Sequence, residues 1–114
     1  MTDKQFSIFW GEALSVADRD AFISDAALSS VWDDTASTEI SADRVNQLGQ
    51  LWDAAHLTIK DIRTAIGLSQ ATFAQRFCIP RRSIENWESG ASACPDYLRL
   101  LLALATGLYE RNTL

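Results

Sequence analysis

Arg81, Arg82 and Asn86 carry the most specific chemistry in this chain. A guanidinium can bond guanine O6 and N7 in bidentate fashion, and a carboxamide can do the same for adenine N6 and N7. The three lie in the run Pro80-Arg81-Arg82-Ser83-Ile84-Glu85-Asn86-Trp87-Glu88, where Ile84 and Trp87 recur at helical spacing and point inward. That leaves Arg81, Arg82 and Asn86 on the outer face, with Ser83 and Glu85 at its edge. Two arginines at a helix start oppose the macrodipole, a local cost that favours a purpose beyond solvation. Trp87 reads as core rather than as a stacking platform. Glu88 is placed to satisfy local hydrogen bonds or to pair with a nearby arginine.

Other chemistries find little support. His56 is the only histidine and reads as a helix-end residue. Cys78 and Cys94 lack the paired spacing and companion ligands of a zinc or redox site, and read as small thiols filling space. There is no glycine-rich phosphate loop and no nucleophile motif. The expectation is a protein that is not an enzyme, with no catalytic residues, no metal and no cofactor.

The elements that must position these side chains are helical. Only two prolines and five glycines occur among 114 residues, and no alternating strand pattern persists. The fold class expected is all-α, and the length suggests one compact core. In the first half, Phe6, Phe9, Trp10 and Ala13 fall at helical spacing. Ser15 is a candidate cap for a second helix, with Asp18 at the capping-box position and Phe22, Ile23, Ala26, Ala27 and Val31 on one face. Asp33 to Thr38 reads as a loop. Ser41 then caps a third helix with Val45, Leu48, Trp52 and Ala55 along its inner stripe.

From Thr58 the punctuation tightens. Thr58 caps a helix through Ile66 with Asp61 as the acidic partner, and Gly67 ends it in the left-handed conformation. Ser69 caps a short helix to Phe77, with Phe73, Ala74 and Phe77 facing inward. Cys78-Ile79 makes a turn, Pro80 starts the next helix, and Ser89-Gly90 ends it. Pro95 or Asp96 opens a last helix, with Tyr97, Leu101, Leu104, Ala105 and Leu108 as its apolar stripe. Two helices of about eight residues joined by a short turn form a helix-turn-helix.

Within this half, Leu68-Ser69-Gln70 precedes the second helix, Phe73-Ala74 lies within it, and Ile79-Pro80 forms the turn. Ile84-Glu85-Asn86-Trp87-Glu88-Ser89-Gly90 ends the third helix. Together they resemble the Cro/CI type of helix-turn-helix, the XRE family, over roughly residues 57–108. The resemblance implies a helical bundle whose C-terminal half, 58–114, binds double-stranded DNA, with the helix 81–88 in the major groove. It assigns base-edge contacts to Arg81, Arg82, Ser83 and Asn86, and a phosphate contact to Gln70 beside Ser69 at the start of the second helix. Arg63, Arg76, Ser92 and Arg99 are further candidates for backbone contacts, equally readable as solvated surface. Position 78 is usually glycine in this turn. Cys78 therefore implies either strain or a slightly different turn.

Charge separates the halves. Residues 1–57 carry three basic and ten acidic side chains, a net −7, and residues 58–114 carry seven basic and five acidic, a net +2. An acidic half beside a mildly basic one argues for two tasks. The function implied is a sequence-specific transcriptional regulator, a repressor acting as a homodimer. Residues 1–57 would provide the dimer contact or a docking surface for a protein partner such as a toxin, as in an antitoxin-like module. A protein-interaction module that retained the fold without DNA is the competing reading. With no signal peptide at Met1-Thr2-Asp3-Lys4-Gln5 and no apolar run of about 20 residues, a cytoplasmic location without a membrane is expected.

Overall fold

The computed structural model describes residues 1–32 and 41–111. All regular structure among them is helical, and it divides into two compact units. Unit 1 is built from residues 1–56 together with the chain from Tyr109 onward, and unit 2 from residues 57–108. Each unit has its own buried cluster, so the single core expected from length gives way to two. Tyr109 to Arg111 group with the N-terminal elements and not with residues 57–108.

In unit 1, α1 (Asp3–Ser15) starts at a capping box in which Gln5 N donates to Thr2 Oγ1 at 3.1 Å and Thr2 N donates to Gln5 Oε1 at 2.8 Å. Phe6, Phe9, Trp10 and Ala13 are its buried face. Helix α2 (Arg19–Ala27) is capped by Asp18, whose carboxylate accepts from Ala21 N at 3.0 Å. Ser15, the cap expected there, instead ends α1 and donates to the Glu12 carbonyl. Phe22, Ala26 and Ala27 are buried as expected, while Val31 lies in a 3₁₀ turn, Ser30–Trp32. The loop expected over Asp33–Thr38 falls outside the described residues.

Ser41 caps α3 (Ala42–Ala55), as its sequence position predicts. The stripe is shifted, however. Leu48 and Ala55 are buried, Leu51 and Ala54 join them, and Val45 is exposed. Gly49 permits a close approach of α2, since a Cβ there would meet the Arg19 guanidinium at 2.5 Å. Trp52 Nε1 donates to the Val16 carbonyl, and His56, the cap residue of α3, places Nε2 2.8 Å from the Ala13 carbonyl. Tyr109 packs on Phe6 and is buried, which pushes its phenol up to about 12.

Unit 2 contains α4 (Ile59–Ala65), α5 (Gln70–Phe77), α6 (Arg81–Ser89) and α7 (Asp96–Ala105). Their shared core is Ile59, Ile62, Phe73, Ala74, Ile84 and Leu102, with Ile79, Trp87, Cys94 and Leu98 packed against it. The capping box of Thr58 and Asp61 forms, and Gly67 and Gly90 take positive φ of 72° and 83° at the ends of α4 and α6. Helix α7 departs from expectation. Leu102 and Ala103 are buried, whereas Tyr97, Leu101 and Leu108 are exposed at 68%, 55% and 39%. The helix is apolar on nearly every side, so periodicity alone did not select its inner face.

Candidate nucleic-acid interface

Helix α5 begins at Ser69, whose hydroxyl accepts from Thr72 N at 3.1 Å and donates to Thr72 Oγ1 at 3.0 Å. Its last residue leads into Cys78, which adopts φ 54° and ψ 39°, the left-handed conformation. The same backbone lets Ile79 N donate back to the Ala74 carbonyl at 3.0 Å, closing the turn. Of the two alternatives at position 78, the turn therefore keeps its usual left-handed form and a non-glycine residue bears it. Cys78 is exposed and fills no space, in contrast to the half-buried Cys94.

Pro80 is the N-cap of α6 and supplies no side-chain hydrogen bond. Its carbonyl accepts from Ser83 N at 2.9 Å and Ile84 N at 3.4 Å, so the amides of Arg81 and Arg82 open the helix without an acidic residue in the first turn. At 100° per residue, positions 81, 82, 85, 86 and 89 share one side, and Ile84 and Trp87 turn to the core. Arg81, Arg82, Glu85 and Ser89 are exposed, and Ser83 and Asn86 are half-buried. The structure thus brings Arg81, Arg82 and Asn86 onto one outward face, with Ser83 behind its edge.

The charge on this face is not purely positive. Arg81 Nε lies 3.2 Å from Glu85 Oε1, an i,i+4 pair with both side chains about half exposed. Arg82 makes no ion pair among the described residues. Arg76 and Lys60 add exposed cations on α5 and α4.

Gln70 and Ser69 belong to the other end of α6. The Gln70 side chain lies near enough to Glu88 to favour its charged form, and Glu88 is seven residues from Arg81, about 10 Å along the helix. Glu88 in turn takes two bonds from Arg63, Nε to Oε2 at 2.8 Å and Nη2 to Oε1 at 2.7 Å. The Arg63 hydrogen bonds hold the Glu88 carboxyl below the usual carboxylate range, against partial desolvation, with Gln70 adding to the effect. Arg63 also donates to the Leu68 carbonyl. Its guanidinium is therefore a brace between α4, the turn that follows it and α6, engaged inside the domain.

Arg99 is likewise committed. It donates to the Leu57 carbonyl and to Asp96, both at 2.7 Å, with its side chain 15% exposed. Ser92 is exposed, its amide donating to the Asn86 carbonyl. The Arg81–Glu85 pair has a local i,i+4 spacing, whereas the Arg63–Glu88 pair joins positions too far apart in sequence to be read there. Among the described residues no group of three or more His, Cys, Asp or Glu is placed to hold a metal ion, and no helix is long and apolar enough to cross a membrane.

Residues 59–106 match a family model described as helix-turn-helix. Neither the curated proteins nor the solved structures yielded a match.

Proposed function

From a chain whose residues 59–106 are a DNA-binding helix-turn-helix domain of the Cro/CI (XRE) type, we infer a sequence-specific transcriptional repressor that reads the major groove with α6. The observation that carries this reading is the outward face of α6. Arg81 and Arg82 stand exposed at a helix start that has no side-chain cap, with Asn86 one turn on. Free amides and two guanidiniums at one helix end suit a polyanion and its base edges, and give little benefit to an isolated domain. Gln70 and Ser69 would hold the phosphate backbone at the start of α5.

The acting form is a homodimer bound to two half-sites about one helical turn apart. Tyr97 and Leu101, large apolar side chains four residues apart and exposed on α7, support a self-association surface in unit 2. Such a regulator works in the cytoplasm.

The test is fluorescence anisotropy of the full chain on its own upstream DNA and on scrambled DNA, across a salt series. Specific binding with a negative salt slope is expected, and Arg81→Ala and Arg82→Ala should each lose about 1–3 kcal/mol and relax base preference. Sequence-blind binding that both variants leave intact would refute the reading.

A further inference from the structure

Unit 1 contains four basic and eleven acidic side chains, a net −7. Its three arginines are engaged within the unit. Arg19 bonds Asp53, Arg44 lies over the Trp32 ring and donates to the Ala27 carbonyl, and Arg111 pairs with Asp3 over the Phe6 ring. Glu12 and Asp25 are treated differently. Both are exposed, and neither side chain has a hydrogen bond or ion pair among the described residues. They flank an open groove of about 500 Å³ between α1 and α2, whose lining includes Val16, Phe22, Ser15 and Ser29 and no basic residue. Leu28, at the end of α2 beside Ser29, is 75% exposed.

We propose that this groove docks a basic amphipathic helix of a partner protein, with a lysine or arginine head at Glu12 and Asp25 and an apolar side chain on Leu28. Charge selects the occupant. A nucleic acid is repelled by two unpaired carboxylates, and a second copy of unit 1 would bring −7 against −7. A lysine or arginine satisfies both halves of the lining, laying its methylene stem on the half-buried Val16 while its head reaches the carboxylates. Leu28 then becomes an apolar contact instead of a wetted leucine. The docking site is independent of the DNA reading, because α6 lies in the other unit.

The probe is a fluorescein-labelled amphipathic helix of leucine and lysine, with a leucine–glutamate helix as its mirror, titrated into the full chain. The lysine helix binds with an affinity that falls with salt, and the glutamate helix does not bind. Glu12→Gln/Asp25→Asn weakens binding about tenfold, and Leu28→Ser weakens it independently. Asp20→Asn/Asp43→Asn, which removes the same charge outside the groove, has little effect. Amide shifts on adding the lysine helix cluster at residues 12–30. Equal losses for the two charge-matched double variants, or shifts that avoid α1 and α2, would overturn the proposal. A wild-type dimer that Glu12→Gln/Asp25→Asn converts to monomer would also overturn it, assigning the groove to a second copy. Unchanged operator affinity in the groove variants separates this result from the fate of the DNA reading.

Discussion

Arg63 and Glu88, 25 residues apart, form a two-bond ion pair at 2.8 and 2.7 Å, with side chains only 15% and 7% exposed. The pair ties α4 to the end of α6. The orientation of α6 against α4 therefore depends on a largely buried ion pair. Arg63→Ala leaves a largely buried carboxylate unpaired and should cost about 2–3 kcal/mol in chemical denaturation. Arg63→Met/Glu88→Leu, which removes both charges, should cost much less. Equal losses for the two would count against the pair as the cause.

The same contact gives an acid dependence. Glu88 is held below its ordinary pKa in the folded state, so its contribution is complete above the unfolded value of about 4.3 and is lost as pH falls through the depressed folded value. Glu88→Gln should be less stable at neutral pH and should show a shallower loss between pH 5 and pH 3. Parallel acid limbs for wild type and variant would exclude this linkage.

Glu85 places a carboxylate on the face that meets phosphates in the proposed complex, 3.2 Å from Arg81. Glu85→Gln should therefore tighten binding to scrambled DNA several-fold at low salt, with the gain shrinking as salt rises. Anisotropy on scrambled duplexes measures it directly, and unchanged affinity would place Glu85 away from DNA.

Cys78 holds φ 54° without being glycine and is exposed, so replacing it removes strain and no packing. Cys78→Gly should stabilise unit 2 by about 1 kcal/mol, and Cys78→Val should destabilise it because a branched Cβ fits that conformation worst. Thermal denaturation ranks the three proteins, and a glycine variant below wild type would contradict the turn geometry.

The register of α7 is tested by neighbouring leucines. Leu102 is 4% exposed and Leu101 is 55% exposed. Leu102→Ala should cost about 2–4 kcal/mol, and Leu101→Ala under about 0.5 kcal/mol in the monomer. If α7 joins two copies, Leu101→Asp shifts sedimentation toward monomer while leaving the fold intact.

The sequence by itself determined the helices of unit 2 and their ends. Thr58 with Asp61, Ser69, Gly67 and Gly90 act through hydrogen bonds and dihedrals that span at most a few residues, so local chemistry suffices to read them. The outward set Arg81, Arg82 and Asn86 was legible for the same reason, since one helix's period fixes which side chains share a side. Tertiary structure decided what depends on remote contacts. The leucines of α7 offer two apolar stripes, and only packing against Ile59 and Ile62 selects Leu98 and Leu102 over Tyr97 and Leu101. Arg63 passed for a solvent-facing cation until Glu88 was brought beside it, and Tyr109 for the tail of the second unit until it stacked on Phe6. In each case the local sequence allows several partners of similar energy, and the choice is made by which surfaces the chain buries together.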